Sequence, residues 1–154
     1  MQNGFLQRGG IWVLAQIALF LAIVGLGIRY RSEWNYPAPL VGGLLFLAIA
    51  AAYGAAGAVA LGRNLTPFPK PGAKARFVER GIYGISRHPL YVAVFCAATG
   101  WSLIRESWPA LAVSVLLAVF LDAKARREER WLRQQFPEYA SYAERVRRFL
   151  PGIY

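Results

Sequence analysis

Residues 11–28 are eighteen consecutive positions without a charge, and residues 38–62 form a second uncharged stretch. At a rise of about 1.5 Å per residue, such a run in helical form reaches roughly the thickness of a bilayer's hydrocarbon core. Inside lipid every backbone N–H and C=O must find a partner within the protein, so each run is expected to be a transmembrane helix. The second run carries Ala50, Gly54, Ala58 and Gly62 at four-residue spacing. That pattern puts small side chains along one stripe, where another helix can approach closely.

The remaining chain is organised by what surrounds these spans. Residues 63–87 hold Pro67, Pro69, Pro71, Gly72, Gly81 and Gly84 with six Lys or Arg, a loop with turns and too irregular to cross lipid. Residues 89–104 and 107–121 are shorter apolar runs separated only by Arg105 and Glu106, with Trp101 and Trp108 near the junction. They predict a tight helical hairpin. Interfacial tryptophans and a snorkelling Arg105 favour two further crossings over a re-entrant pair. From Asp122 onward the chain is charged and helical in character, with a helix near 122–135, a break at Pro137, a second helix near 138–149 and a stop at Pro151 and Gly152. The expected fold is an all-α integral membrane bundle of about four spans with a cytoplasmic helical tail. At 154 residues, 56% hydrophobic and with a mean hydropathy of +0.34, it forms one unit, 1–154, with two N-terminal spans in 1–62 and loop, hairpin and tail in 63–154.

A net charge of +10 suits a nucleic-acid binder or a protein lying against anionic lipid. Location separates the two. With the N-terminus cytoplasmic, fifteen Lys and Arg outside the spans fall on the cytoplasmic side and three on the other. The positive-inside rule is satisfied, both termini are cytoplasmic, and the excess charge is explained by topology and membrane lipids with no nucleic acid. Cys96, the only cysteine, lies in an apolar run, which excludes an internal disulfide and a cysteine-built metal site. Residues 1–10 do not resemble a removable signal peptide.

Two constellations carry chemistry. His88, the only histidine, precedes Pro89 where the polar loop becomes the third apolar helix. Proline disfavours helical dihedrals at His88 and suits the first helical position, so a sharp helix start is expected at the membrane surface. Free N–H groups and the positive end of the helix dipole can hold an anion there, or Arg87 and His88 simply mark the headgroup boundary. Farther on, Lys124, Glu128 and Leu132 share one helical face at four-residue spacing. On its own, that run also describes a solvated helix with internal ion pairs. Because both constellations lie on the cytoplasmic side, they can meet.

Gly81-x-Tyr83-x-x-x-Arg87-His88-Pro89-x-Tyr91, then a hydrophobic hairpin, then Glu128-Glu129-x-x-Leu132, Phe136, Tyr139, Tyr142 and a terminal Arg148-Phe149-Leu150-Pro151 resemble the isoprenylcysteine carboxyl methyltransferase family, which is related to the membrane phospholipid methyltransferases. The resemblance covers residues 64–154. It implies that S-adenosylmethionine is bound at the cytosolic membrane face by Ala75, Arg76, Phe77 and Val78, by Tyr83, and by His88, Pro89, Leu90 and Tyr91. Glu128 would meet its methionine amino group. Where the family usually has an arginine one turn before that glutamate, this chain has Lys124, which keeps the charge, loses the bidentate fork, and is expected to orient the acceptor, with Arg126 or Arg127 as the alternative. Pro137 stands where the family often has glycine.

The implied reaction is in-line displacement at a sulfonium methyl, dependent mainly on alignment. A carboxylate acceptor, ionised near neutral pH, needs a cation to hold it and no general base, which favours O-methylation of a lipophilic or lipidated acceptor over an amine or thiol. Two other readings are a phospholipid N-methyltransferase with the same donor pocket and a non-enzymatic membrane subunit keeping the motif as scaffold. Absence of charge within the spans argues against a transporter. The small-residue stripe serves intramolecular and dimer packing equally, so the sequence assigns no oligomeric state.

Overall fold

A computed structural model describes residues 4–34, 37–72 and 75–150. Six α-helices and two short 3₁₀ turns form the described chain, without strands: α1 (Gly4–Gln7), α2 (Gly10–Arg29), α3 (Ala38–Leu61), α4 (Pro89–Ile104), α5 (Trp108–Gln135) and α6 (Tyr139–Arg145). Three of the described helical segments are long and apolar enough to cross a membrane, Gly10–Arg29, Ala38–Asn64 and Trp108–Gln135, while Pro89–Ile104 is shorter. Large apolar side chains such as Leu14, Leu21, Leu45 and Val119 point outward from the bundle. That is the distribution expected of a protein solvated by lipid.

α4 is the central element. Small residues let α3 lie against it: a side chain at Gly43 would meet the carbonyl of Gly100 at 2.9 Å, and one at Gly57 would meet Leu90 at 2.9 Å. Of the expected stripe, Gly54 does face Ala93 on α4. The tightest approaches, however, fall at Gly43, Gly57 and Gly100, because the contact follows the helical period of about 3.6 residues. On the other side of α4, Ile23, Ala98, Ala110, Leu117 and Leu121 form a core shared by α2, α4 and α5.

The two ends of the bundle differ. At one, Arg105 Nε donates to the Gly27 carbonyl, Ser107 Oγ to that of Leu26, and the Trp34 and Trp108 rings pack at 4.8 Å. At the other, the start of α2, the loop after α3, the start of α4 and the polar half of α5 come together. There Arg8 donates to Thr66 at 3.3 Å, and its guanidinium lies over the Phe68 ring at 4.4 Å. The sixteen residues of α4 join these ends, since its first turn lies at one and Ile104 beside Gly43 at the other.

Two expectations about the tail are corrected. The helix expected near 122–135 is no separate element, because α5 runs unbroken from Trp108 to Gln135. Nothing between Leu121 and Asp122 breaks a helix, and the Ala, Lys, Arg and Glu that follow propagate it. It ends where Phe136 turns extended ahead of Pro137. The second tail helix stops at Arg145 rather than near 149, and Val146 is extended. Residues beyond it make non-helical bonds: the carbonyls of Arg147 and Arg148 accept from the N–H groups of Arg87 and His88. Lys74, Pro151 and Gly152, which entered the expectations for the loop and the tail end, lie outside the described residues.

Candidate functional site

The bonds that terminate the tail also assemble a cavity of about 1020 Å³ at the basic end of the bundle. Asn64 starts the assembly, because its side chain accepts from Arg76 N–H and donates to the Arg76 carbonyl, fastening residues 75–78 to the end of α3. Phe77 is thereby set among Phe136, Tyr139 and Tyr142, with ring centroids 5.3–6.0 Å apart. Tyr142 donates to the Tyr83 carbonyl at 2.6 Å and holds that turn. Of the eleven residues singled out in the sequence, Ala75, Arg76, Phe77, Val78 and Tyr83 line the cavity from the loop, and His88, Leu90, Tyr91, Lys124 and Glu128 from α4 and α5. Pro89 is not in the lining. It is buried at the first position of α4, near Gly57.

His88 links the two motif segments. Its Nε2 lies 3.3 Å from Glu129, its Nδ1 lies 3.8 Å from Glu128, and its ring stacks on Tyr91 at 5.1 Å. Tyr91 donates to Glu128 at 2.6 Å. The helix start was expected to offer free N–H groups to an anion, and it offers few. The N–H groups of Arg87 and His88 donate to the tail, those of Tyr91 and Val92 to the His88 carbonyl, and Pro89 has none. The protein's own carboxylates, Glu128 and Glu129, occupy the positive end of α4, so this part of the wall suits a cationic ligand group.

The two glutamates have different surroundings. Glu129 is buried and receives Arg148 Nε at 3.0 Å and Nη2 at 3.1 Å, with Arg87 at 3.3 Å. Burial pushes its carboxyl up, but hydrogen bonds from His88 and Arg148 and the electrostatic pull of His88 and Arg87 outweigh that and hold it at about 2. Glu128 keeps a quarter of its side chain accessible, at 25%. Burial pushes its carboxyl up, and the pull of His88, the Tyr91 hydrogen bond and Lys124 only partly offset this. Glu129 therefore ties the motif together, whereas Glu128 is the carboxylate presented to the cavity. Burial also raises the phenols of Tyr83, Tyr139 and Tyr142, leaving them as neutral donors.

The sequence did not reveal two features. Glu129 organises the site through contacts that no local pattern encodes, since its partners lie 41 and 19 residues away. Gln16, on α2, accepts from Lys124 Nζ at 2.6 Å, and a polar side chain in an otherwise apolar span was the available signal. The lining also fits a sulfonium nucleoside. It has a carboxylate for a cationic amine, the aromatic rings of Phe77, Tyr83 and Tyr91, and two residues, Arg87 and Tyr139, whose buried Nε and Oη have no hydrogen-bond partner among the described residues.

The chain is thus a helical membrane bundle with a carboxylate-lined, aromatic pocket at its basic end. Residues 38–139 match the phospholipid methyltransferase family. The chain belongs to that family, whose members are methyltransferases that generally use S-adenosylmethionine. It is also 30% identical over 149 residues to the cobalt-zinc-cadmium resistance protein CzcN of Cupriavidus metallidurans and to the nickel-cobalt-cadmium resistance protein NccN of Alcaligenes xylosoxydans xylosoxydans. Those matches cover 96% of this chain and 65% and 66% of the relatives, so it spans just under two thirds of their length.

Proposed function

We propose that this chain is a multi-pass membrane methyltransferase, dependent on S-adenosylmethionine, that O-methylates a carboxylate on a lipophilic acceptor, isoprenylcysteine-like or otherwise. The observation that carries the reading is the convergence of residues 75–78, Tyr83, His88, Leu90, Tyr91 and Glu128 on one cavity. In this reading Glu128 holds the donor's amino group, Tyr91 and His88 hold Glu128, and the loop residues Ala75, Arg76, Phe77 and Val78 cover the nucleoside. S-adenosylmethionine supplies a methyl on a positively charged sulfur, with the bonding electrons left on sulfur when the methyl departs. Lys124, 3% exposed, steers an anionic oxygen toward that methyl, and the ester forms without a proton transfer. The proposed topology has α2, α3, α4 and α5 crossing the membrane with both termini cytoplasmic, since the basic loop and tail share the cavity end while Arg29 and Arg105 lie at the other.

The family match favours a second reading, N-methylation of a phospholipid headgroup amine from the same donor pocket. The resistance-protein names of the relatives leave room for a non-enzymatic subunit that retains the pocket as scaffold. Purified protein incubated with methyl-labelled donor and either lipid extract or a prenylcysteine analogue separates all three. Base-labile label on the carboxylate acceptor supports the proposal. Base-stable label on lipid supports N-methylation, and no label on either acceptor supports the scaffold.

A further inference from the structure

Gln16 is the one polar, non-aromatic residue between positions 11 and 28, and it lies on α2, outside the residues matched by the family. Its contact is with the buried ammonium of Lys124, which also sits 5.0 Å from the centroid of the Tyr91 ring. A lysine ammonium has three donors and no acceptor, so the amide oxygen of Gln16 must face it. The amide nitrogen of Gln16, with two N–H donors, has no partner among the described residues. Neither do the two N–H groups that Lys124 does not give to Gln16. The two side chains line the large cavity together as a pair of donors with one positive charge; the nearest carboxylate, Glu128, also draws on Lys124, but it accepts from Tyr91 and, in the proposed reading, faces the donor's amino group. The pair of Gln16 and Lys124 is complementary to an anionic oxygen.

The surroundings indicate what carries that oxygen. Gln16 also lines a second, apolar cavity of about 290 Å³ with Ile17, Phe20, Leu21 and Val94, a trough between α2 and α4. Ile17, Phe20 and Val94 line both cavities, so the trough continues directly from the pocket. A polar head at Lys124 would leave an attached chain lying against these side chains, in van der Waals contact with an apolar trough that matches it.

We infer that Gln16 and Lys124 form the acceptor-recognition pair, binding the carboxylate of an amphiphile whose apolar chain occupies the trough between α2 and α4. This rests on the methyltransferase reading for its consequence and names the acceptor class of that same site. Gln16 selects the head by donating to one carboxylate oxygen while keeping the ammonium directed at the other. Acceptor choice is thus set by a helix outside the family-matched region, whereas the donor wall comes from within it.

The test uses the full chain in zwitterionic nanodiscs, with empty nanodiscs as blank, titrated calorimetrically with decanoate, decyl phosphate and decylammonium. Decanoate is expected to bind most tightly to the wild type. Gln16→Leu should weaken it about tenfold, the scale of one charge-assisted hydrogen bond. Gln16→Glu preserves packing through an ion pair with Lys124, and should weaken decanoate at least as much while strengthening decylammonium. S-adenosylmethionine titrated into the same samples should bind all three proteins alike. Decanoate affinity unchanged by both substitutions overturns the inference. So does tighter wild-type binding of decyl phosphate or decylammonium, or no decanoate binding at all. Failure of the wild type to bind the donor counts instead against the methyltransferase reading.

Discussion

Glu129→Gln removes the charge on which Arg87, His88 and Arg148 converge while nearly preserving shape. A carboxyl held at about 2 against an ordinary 4.5 contributes on the order of 3 kcal/mol to folding. Breaking a buried ion pair by removing one partner costs about 3–5 kcal/mol, a range that includes this figure. For a domain of this size each kcal/mol moves the melting temperature by about 2–4 °C, and the variant should melt roughly 6–12 °C lower near neutral pH. The sign of the pH dependence follows from the depressed folded value. The contribution is fully present above about 4.5 and disappears as pH falls toward 2, because the unfolded chain then takes up the proton more readily. Thermal unfolding in one detergent between pH 7 and pH 3 should show the gap between wild type and variant narrowing as acid is added. Equal melting temperatures at pH 7, or a gap that widens in acid, would refute this account of the cluster.

Gly43→Ala and Gly100→Ala should each lower stability by about 1–3 kcal/mol in the same melt, since the added carbon would press on the facing backbone of α3 or α4. Gly25→Ala, with nothing within 4 Å, is the control expected to be neutral or slightly stabilising. Tyr91→Phe deletes the 2.6 Å bond that holds Glu128, and donor affinity measured by calorimetry should fall about tenfold with the fold intact by circular dichroism. Because burial raises the Glu128 carboxyl, donor binding should begin to weaken on acidification at a higher pH than an ordinary carboxyl would dictate, and Glu128→Gln should abolish that dependence in a pH series of binding constants.

Helix positions were legible because lipid leaves the backbone few options: the runs at 11–28, 38–62 and 89–104 became α2, α3 and α4 within a residue or two. The start of α4 was legible for a local reason, the effect of Pro89 on His88. The shared face of Lys124, Glu128 and Leu132 followed from helical spacing, and all three line the cavity. The division of labour within the Glu128-Glu129 pair was not legible. Neighbouring carboxylates look alike in sequence, and what distinguishes them is long-range: Arg148, returning from the tail, and Arg87 reach Glu129, while Tyr91 reaches Glu128. Nor was the role of the tail end legible, because residues 146–149 carry helix-compatible side chains and leave the helix to bond the backbone of Arg87 and His88. Gln16 was readable as unusual, but its partner 108 residues away was not.

In the proposed site, the loop at 75–78, the start of α4 and the polar half of α5 enclose the methyl donor. Isothermal titration of S-adenosylmethionine into the purified wild type and Glu128→Gln tests it directly. Saturable one-to-one binding is expected for the wild type, weakened about tenfold or more in the variant by loss of the carboxylate proposed to meet the amino group. No binding to the wild type, or equal binding to both proteins, would contradict it.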